Sequence, residues 1–343
     1  MMVLESSGLG IKFNVLGNRG DRVCNFARCY DNSHYRKFVD DSTLVTYEFE
    51  QGNEDAMLLA QDEGKLVPEY ENVWMKIERD REKEYLRSHG FPVARFVVVD
   101  GGEEALRAAR DEFNWKAVIK RARGGYDGKG QFYILSEKHG EDLKKIEGKL
   151  VVEEFIDFDY ESSIILSRGK EGISCYPVSF NFNREGILIY NYGKIKDSGE
   201  REVASSLSSS LDYQGTMGVE FFVGEGRVII NEFSPRVHNS GHYTLNFSAT
   251  SQFENHIRAI SSLPLGSTET MPYFGMVNIL GKSKVNSLLL KEGNVFLYGK
   301  ESTSPRRKVG HVNVSGNSVE DVKKRIERIM EQLYSGDVSF LKL

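Results

Sequence analysis

The sequence lacks the long apolar segments that would place the protein in or across a membrane. No apolar run approaches the roughly 20 residues needed to span a bilayer, and the amino terminus has neither the basic nor the apolar region of a signal peptide. Cysteine is scarce, since the chain holds only Cys24, Cys29 and Cys175, an odd number without metal-ligand spacing. These absences predict a protein of a reducing cytoplasm with no membrane partner.

The sequence also lacks a basic stripe, an internal repeat and a low-complexity tract. Its 45 Lys and Arg residues are outnumbered by 50 Asp and Glu residues, which gives a formal net charge of −5. Nucleic-acid-binding proteins concentrate positive charge against phosphates, so no nucleic-acid partner is predicted. What remains is an ordinary globular composition, and 343 residues are enough for two or three domains.

The most informative stretch is residues 218–244, GVEFFVGEGRVIINEFSPRVHNSGHYT. Two apolar runs flank a Gly-Glu-Gly tip, which predicts a β-hairpin. With the turn centred on the tip, Glu220 lies opposite Ile230, and Glu232 is its diagonal neighbour on the same face. The sequence therefore predicts two carboxylates side by side on an apolar ribbon.

These two carboxylates predict a metal site. A strand this apolar is expected to be buried on at least one face, where unpaired carboxylates are costly. Mg²⁺ binds one or two carboxylates together with phosphate oxygens, so Glu220 and Glu232 are the predicted ligands, with the Asn231 amide beside them. Mn²⁺ is an alternative ion. The other interpretation is a surface hairpin with two solvated glutamates.

The segment after the hairpin is rich in hydrogen-bond donors. Within seven residues that follow a proline, the chain places Arg236, His238, Asn239, Ser240 and His242. Loops that follow a buried strand often form binding sites, and the planar guanidinium of Arg236 suits a phosphate or carboxylate. Each histidine alone would more often be a structural residue, but the cluster predicts a binding site.

A second candidate site is the glycine-rich segment KRARGGYDGKGQ, residues 120–131. Its glycines and cations make a loop whose amides can approach an anion closely. The segment matches neither the P-loop nor the dinucleotide-binding pattern, and a hairpin turn without a ligand is the alternative. Because Lys120 lies in a strand that is expected to be buried, it is predicted to need an anionic partner.

Periodicity and turn residues predict alternating strands and helices along the whole chain. The predicted strands are residues 11–16, 44–49, 96–99, 117–121, 149–156, 160–167, 174–182, 218–223, 227–233, 275–280, 295–298 and 309–314. The predicted helices are residues 33–39, 73–90, 103–113, 201–211, 251–261 and 319–334.

Polar groups at two further places are candidate ligands. Glu48 lies near the carboxyl end of a predicted strand, where open α/β sheets bind ligands, although a helix-capping role explains it equally well. Residues 298–300 (YGK) and 306–308 (RRK) bring four cations near each other. These cations form either a phosphate clamp or a solvated basic loop.

Eight segments of the chain together resemble the ATP-grasp enzymes and, within them, the ATP-dependent 5-(carboxyamino)imidazole ribonucleotide synthases of purine biosynthesis. They run in the family's order: GGYDGKGQ (124–131), VEEFIDFDYESS (152–163), NEFSPRVHNSGHYT (231–244), SQFENHIRAI (251–260), LPLG (263–266), MVNILG (276–281), YGK (298–300) and RKVGH (307–311). Other ATP-grasp ligases resemble the nucleotide site but not these substrate loops, so the combination is highly specific.

The resemblance implies an α/β fold, α+β in part, of ATP-grasp architecture, and a homodimer. It places a Rossmann-like domain at residues 1–72, a two-part ATP-grasp domain at 73–267 with a small lid at about 115–158, and a carboxy-terminal domain at 268–343. Family members open with a strand and a Gly-Gly-Gln-Leu-Gly loop, whereas this chain begins inside the following helix. The first strand is therefore expected to be missing, through a mis-assigned start codon or a truncation.

The family reaction joins bicarbonate to the amine of 5-aminoimidazole ribonucleotide while ATP is hydrolysed to ADP and phosphate. By analogy, ATP first phosphorylates bicarbonate, and the resulting carboxyphosphate delivers carbon dioxide to the amine. The resemblance thus implies ATP and Mg²⁺ as cofactors, with bicarbonate and the ribonucleotide as substrates. Two alternatives stay open: another ATP-grasp ligase that acts on a different amine, and a non-catalytic nucleotide-binding remnant.

The resemblance also assigns roles to individual residues. Nucleotide-binding residues would be Arg79, Lys120, Gly125, Tyr126, Asp127, Gly128, Lys129, Gly130, Gln131, Glu153, Glu154, Phe155, Ile156, Glu161, Asn183, Asn231 and Glu232. Substrate-binding residues would be Glu48, Arg236, His238, Asn239, Ser240, Lys300, Arg307 and Lys308. Catalytic residues would be Tyr126, Asp127, Lys300 and Arg236, with Asp127 a candidate to take the proton of the amine.

Two positions depart from the family pattern. Asn183 stands where a histidine is common near the nucleotide, and it can form hydrogen bonds but cannot carry charge. Phe180 stands where an acid is frequent, so no polar role is expected there.

Overall fold

A computed structural model describes residues 1–18, 20–124, 130–136, 141–281, 285–300 and 304–334. In these ranges the helices are α1 (Met2–Glu5), α2 (Tyr35–Asp40), α3 (Glu54–Asp62), α4 (Tyr70–Ile77), α5 (Arg79–Ser88), α6 (Gly102–Asp111), α7 (Glu200–Ser210), α8 (Thr244–Phe247), α9 (Gln252–Ile260), α10 (Ser287–Glu292) and α11 (Val319–Tyr334). Within the same ranges, no helix combines the length and the apolar character that crossing a membrane requires.

The strands confirm the predicted mixture of helices and sheets. They are β1 (Asn14–Leu16), β2 (Arg28–Tyr30), β3 (Phe96–Asp100), β4 (Ala117–Arg121), β5 (Gln131–Ile134), β6 (Lys149–Glu154), β7 (Tyr160–Gly169), β8 (Gly172–Cys175), β9 (Ser179–Arg184), β10 (Ile187–Gly193), β11 (Gly215–Gly224), β12 (Arg227–Ser234), β13 (Phe274–Leu280), β14 (Asn294–Leu297) and β15 (Lys308–Ser315).

The amino-terminal segment forms a two-stranded parallel sheet, β1 with β2, packed on α2 and α3. The prediction of a strand at 44–49 was wrong, because only Val45 makes a bridge, to Leu66. The next residue, Thr46, has its Oγ1 2.8 Å from Nε2 of His256 in α9. The short strand β2 was not predicted at all.

Two of the three cysteines are paired. Cys24 and Cys29 form a disulfide across the turn before β2, with their Cα atoms 5.4 Å apart, and Cys175 is a free thiol. The cysteine content therefore gives no support to the prediction of a reducing compartment.

The helix predicted at 73–90 is interrupted, which creates α4 and α5. Glu78 between them has an extended backbone, with φ −103° and ψ 94°. The N–H of Arg79 donates to the carbonyl of Ala122 at 2.9 Å instead of to a carbonyl one turn earlier in the helix. The break thus brings the start of α5 against the end of β4.

A four-stranded antiparallel sheet has the order β3-β6-β4-β5. Helix α6 packs on it through Ala105, Leu106 and Ala109, which join Ile119 and Val152 in one apolar core. Strand β4 matches its predicted bounds, and the glycine-rich segment connects β4 to β5.

The large sheet has the order β12-β11-β7-β9-β10-β13-β15-β14, and β8 pairs with β7. A single strand was predicted at 174–182, but the chain forms β8 and β9, because Pro177 has no N–H to donate within a continuous ladder. The sheet continues across the predicted domain boundary at 267/268, since β13 pairs with β10. The bounds of the three domains stay a prediction.

The predicted hairpin is present as β11 and β12, but its register differs from the prediction. Glu220 pairs directly with Glu232, not with Ile230, which lies opposite Phe221. An irregularity at Asn231 inserts one extra residue in β12, which is the geometry of a β-bulge. The bulge brings the two carboxylates directly opposite each other rather than diagonally.

Candidate active site

The paired glutamates occupy a largely buried position on the large sheet. The side chain of Glu220 is 15% exposed and that of Glu232 is 30% exposed. Burial, followed by the like charges of Glu232 and Glu161, raises the pKa of Glu220 to about 8. A second negative charge beside Glu232 is therefore disfavoured, and a bound cation would relieve that repulsion.

Lys76 of α4 holds the second carboxylate of the pair. Its Nζ lies 2.9 Å from Glu232 Oε2 and 3.3 Å from Glu82 Oε2. Burial opposes ionisation of Glu232, but Lys76 and Arg79 outweigh it and lower its pKa. Burial would likewise lower the pKa of Lys76, yet Glu232 and Glu82 raise it. Glu232 is thus a carboxylate and Lys76 an ammonium at neutral pH.

Side chains of helix α5 form hydrogen bonds with backbone groups along the outer edge of β12. Lys83 Nζ donates to the Asn231 carbonyl at 3.0 Å, and Glu82 accepts from the N–H of Phe233 at 2.9 Å. An exposed strand edge leaves such groups unpaired, so these side chains both complete the sheet and fix the position of Glu232. Sequence analysis missed Lys76, Glu82 and Lys83. A signal was present, since Lys83 and Leu86 share one helix face and a charge there needs a buried partner.

Lys120 has the anionic partner that was predicted for it. Its Nζ lies 3.0 Å from Glu153 Oε1, and Lys83 Nζ lies 2.9 Å from Glu153 Oε2. Burial and the nearby cations Lys83 and Arg79 lower the pKa of Lys120 to about 8, against the attraction of Glu153. Burial disfavours ionised Glu153, but Lys120 and Lys83 prevail and lower its pKa to about 2. The carboxylate of Glu153 thus forms ion pairs with two lysines, Lys83 and Lys120.

Residues around the predicted adenine and ribose positions lie on β6, β7 and β9. Asn183 Nδ2 donates to Glu161 Oε2 at 2.7 Å. Burial raises the pKa of Glu161, and the Asn183 hydrogen bond opposes the rise. Glu154 pairs with Arg95 at 3.1 Å at the surface, while Phe155 packs edge-on against Tyr133 with ring centres 6.5 Å apart. Ile156 follows β6 and is half-buried.

The glycine-rich segment is described only at its two ends. Gly130 has φ +73°, and an added Cβ would lie 3.1 Å from the Arg121 side chain. Gln131 Nε2 donates to Tyr133 Oη at 2.7 Å. Five predicted residues lie outside the described residues: Gly125, Tyr126, Asp127, Gly128 and Lys129.

The loop after β12 lies against the paired glutamates. His238 Nε2 is 3.6 Å from Glu220 Oε1, and its Nδ1 is 2.8 Å from Ser240 Oγ. Burial and the nearby Arg236 lower the pKa of His238 to about 3, so its ring is neutral. A Cβ at Gly218 would lie 2.6 Å from the Cβ of His238. Only glycine permits this approach of the loop to β11.

Arg236 has a partner that the sequence analysis did not identify. Its Nε lies 2.7 Å from Glu50 Oε1, and Glu50 outweighs burial to raise the pKa of the guanidinium. Glu48 is near enough to act electrostatically on both Arg236 and Tyr298. The amino-terminal segment therefore supplies acidic groups to this side of the site.

Buried asparagines hold the rest of this loop. Asn239 and Asn278 exchange two amide hydrogen bonds, of 2.9 and 2.7 Å. Asn191 Nδ2 donates to the Ser240 carbonyl at 2.6 Å. Asn191 and Asn278 were not predicted to contribute, although both stand as polar positions in otherwise apolar strands.

The predicted cationic cluster is divided in the structure. Lys300 Nζ donates to the Lys308 carbonyl at 3.3 Å, and Lys308 is close enough to act electrostatically on Glu220 and His238. Arg306, by contrast, pairs with Glu185 at 2.8 Å. The side chain of Arg307 is exposed.

The site offers a divalent cation two carboxylates from the protein. Within the described part of the chain, no group of three or more His, Cys, Asp and Glu residues could hold a metal. Glu220 and Glu232 lie directly opposite each other, and the charge of Glu232 contributes to the raised pKa of Glu220. Mg²⁺ commonly takes one or two carboxylates and completes its shell with phosphate oxygens and water, so the pair fits that ion when a phosphorylated ligand is present.

Comparisons with known proteins show which family the chain resembles. A family model described as ATP-grasp domain matches residues 84–253, and one described as phosphoribosylaminoimidazole carboxylase C-terminal domain matches residues 275–325. The chain is 47% identical to N5-carboxyaminoimidazole ribonucleotide synthase of Saccharolobus solfataricus, over 98% of this chain and 93% of the relative. It is 44% identical to the synthase of Aquifex aeolicus, over 97% and 93%.

Solved structures show the same similarity. The phosphoribosylaminoimidazole carboxylase ATPase subunit of Aquifex aeolicus superposes with a TM-score of 0.82 at 40% identity, over 97% of this chain and 96% of that one. An N5-carboxyaminoimidazole ribonucleotide synthetase in complex with ADP gives a TM-score of 0.88 at 31% identity, over 96% and 94%. The fold is therefore of ATP-grasp architecture, as the resemblance implied.

Proposed function

The chain belongs to the N5-carboxyaminoimidazole ribonucleotide synthases, an ATP-grasp family, and we propose that it carboxylates 5-aminoimidazole ribonucleotide with bicarbonate and ATP. It is an ATP-dependent ligase of purine biosynthesis. The products are 5-(carboxyamino)imidazole ribonucleotide, ADP and phosphate, and carboxyphosphate is the intermediate. The proposal depends on one observation above all, the Glu220–Glu232 pair with Lys120 acting on one carboxylate and His238 beside the other.

Lys120 and Arg79 bind the phosphates of ATP in this proposal. Lys120 lies at the end of a buried strand, and its ammonium is oriented by Glu153. Arg79 opens α5 close enough to act on both Glu232 and Lys120. Glu161 accepts hydrogen bonds from the ribose, the backbone at 153–156 lines the adenine, and residues 125–131 are assigned to phosphate binding by the resemblance. Asn183 supports Glu161 through its 2.7 Å hydrogen bond.

Glu220 and Glu232 would hold Mg²⁺, or Mn²⁺, with Asn231 beside Glu232 in the chain. When bound, the ion neutralises charge on the phosphates during phosphoryl transfer. Lys76 keeps Glu232 ionised and Lys83 fixes the backbone at Asn231, so the protein presents the carboxylates in a fixed geometry. Such fixed groups stabilise developing charge without reorganising.

The ribonucleotide binds on the other side of the glutamate pair. Residues proposed to contact its phosphate and ring are Glu48, Arg236, His238, Asn239, Ser240, Lys300, Arg307 and Lys308. His238 is neutral, so it contributes hydrogen bonds rather than charge. By the resemblance, Tyr126 and Asp127 act on the amine, from which Asp127 takes the proton, and Arg236 and Lys300 contact the reacting groups. Exclusion of water protects carboxyphosphate, which hydrolyses readily.

The protein acts in the cytoplasm as a homodimer in this proposal, and its domains are residues 1–72, 73–267 and 268–343. Mixing the chain with ATP, Mg²⁺, ¹⁴C-bicarbonate and 5-aminoimidazole ribonucleotide tests the activity. We expect ribonucleotide-dependent ADP release with matching incorporation of label. Formate with other amines serves as the control. ADP release with formate and another amine, but not with bicarbonate and the ribonucleotide, would favour a different ATP-grasp ligase.

A further inference from the structure

Tyr298 joins two histidines that the proposed function does not use. Its Oη lies 2.7 Å from His311 Nδ1 and 2.9 Å from His242 Nδ1. Both rings are buried, and burial lowers the pKa of His311 to about 3 and that of His242 well below its usual range. The tyrosine hydroxyl therefore lies between two neutral imidazoles, each with one donor and one acceptor nitrogen.

The amides beside His242 determine which of its nitrogens accepts a hydrogen bond. Asn278 Nδ2 donates to the Leu188 carbonyl, which fixes the orientation of that amide. The reciprocal pair with Asn278 then orients Asn239, whose Nδ2 lies 3.4 Å from His242 Nδ1. A donor on that side makes His242 Nδ1 an acceptor, so Tyr298 donates to it.

His311 completes the arrangement. Because the single hydroxyl proton of Tyr298 is used by His242, the tyrosine oxygen accepts from the Nδ1–H of His311. His311 Nε2 is then a bare acceptor, and it lies buried with no hydrogen-bond partner among the described residues. The ring of His311 is fixed by stacking on Phe296, with centres 4.8 Å apart. Tyr298 is thus restrained from both sides.

The ring of Tyr298 faces a residue of the proposed substrate site. Lys300 Nζ lies 5.1 Å from the ring centre, inside the range of about 6 Å in which a cation is attracted to an aromatic face. The same Nζ donates to the Lys308 carbonyl at 3.3 Å. One side chain therefore contacts Lys300 through its ring and is linked to Asn239, through His242, by its hydroxyl.

We propose that Tyr298 is a positioning residue that sets the place of the Lys300 ammonium relative to Asn239. The inference rests on the proposed function, in which Lys300 and Asn239 both contact the ribonucleotide. Tyr298 acts through these neighbours: its two hydrogen bonds hold the ring in one orientation, and the ring holds the ammonium. Loss of the hydroxyl frees the ring to move, and the substrate must then order Lys300 as it binds.

The test is Tyr298→Phe, which removes the hydroxyl and keeps the ring under Lys300. Loss of a hydrogen bond of this kind changes an equilibrium constant by a factor of about three to ten. We therefore expect KM and the calorimetric Kd for 5-aminoimidazole ribonucleotide to rise by that factor. The KM for ATP and kcat should stay as in the wild type. Tyr176→Phe is the matched control, since it removes a buried hydrogen bond of 2.9 Å to the Thr250 carbonyl, and its hydroxyl contacts Thr250 and Asn255, neither of which is a proposed site residue.

A double-mutant cycle separates positioning from general destabilisation. In a Lys300→Met background, Tyr298→Phe should cause no further rise in the Kd for the ribonucleotide, because the ammonium that the tyrosine positions is gone. An equal rise in both backgrounds, or a wild-type Kd in Tyr298→Phe, would overturn the proposal. Absence of turnover in the wild-type chain would count against the proposed function alone, since the cycle is measured by binding without turnover.

Discussion

Lys76 Nζ lies 2.9 Å from Glu232 Oε2, so a carboxylate proposed to hold metal is also held by a buried lysine of α4. The same ammonium is 3.3 Å from both oxygens of Glu82, and Glu82 Oε1 also accepts from the N–H of Phe233. The charge of the metal site is therefore linked to the packing of α4 and α5 on the edge of the large sheet. Function and stability share these groups.

Replacing Lys76 by methionine should destabilise the fold strongly. Removing one partner of a buried ion pair leaves an uncompensated charge and costs about 3–5 kcal/mol, and here both Glu82 and Glu232 lose their cation. We expect the free energy of unfolding in urea to fall by about that amount. The control Arg227→Met breaks the exposed Arg227–Glu225 pair and should cost less than about 1 kcal/mol. Equal losses in the two variants would contradict the role of Lys76.

Glu232→Gln should abolish most ATP turnover while the protein remains folded. The amide keeps the shape of the side chain but removes one of the two charges offered to the metal, so we expect kcat to fall by roughly 100-fold or more. Binding of Mn²⁺, followed by electron paramagnetic resonance, should weaken in parallel. Glu225→Gln at the exposed hairpin tip is the control. Wild-type turnover in Glu232→Gln would remove the metal assignment.

Local patterns were sufficient to predict the hairpin but not its register. The Gly-Glu-Gly tip and the two apolar runs predicted β11 and β12, while the bulge at Asn231 depends on contacts from another part of the chain. Lys83 holds the Asn231 carbonyl and Glu82 holds the N–H of Phe233. Lys83 and Glu82 lie far from the hairpin in the chain, so the local sequence could not predict the bulge that they stabilise.

The buried charges around Lys120 illustrate the same limit. The need for an anionic partner was predictable from an isolated lysine in a buried strand, but Glu153 could not be identified, because pairing of β4 with β6 brings it there. Glu153 had been assigned to the adenine instead. Likewise, the pair Arg236–Glu50 joins residues far apart in the chain, and only the folded structure brings them together.

Glu220 should make the stability of the metal-free protein depend on pH. Its folded-state pKa, about 8, lies above its ordinary value of 4.5, so protonation favours the folded state. This contribution is fully present below pH 4.5 and is lost as the pH rises toward 8. With a chelator present, we expect the free energy of unfolding of the wild type to fall by on the order of a few kcal/mol between these pH limits. Glu220→Gln should not show this fall.

Urea unfolding at several pH values, with wild type and Glu220→Gln side by side, measures this difference. Added Mg²⁺ should stabilise the wild type at high pH, because a metal binds the ionised carboxylate, and should have less effect on the variant. Identical pH profiles for the two metal-free proteins would show that Glu220 titrates normally.

Gly218→Ala should disturb the substrate side of the site more than the ATP side, because the atoms closest to the added Cβ belong to His238 and to neither glutamate. The added Cβ would lie 2.6 Å from the Cβ of His238, so the loop after β12 must shift away from β11 and from Glu220. Overpacking of this kind costs about 1–3 kcal/mol, and we expect a rise in KM for the ribonucleotide larger than any rise for ATP. The control is Gly8→Ala, where an added Cβ meets nothing within 4 Å. An unchanged KM for the ribonucleotide would mean that the contact between His238 and Gly218 does not position the loop for binding.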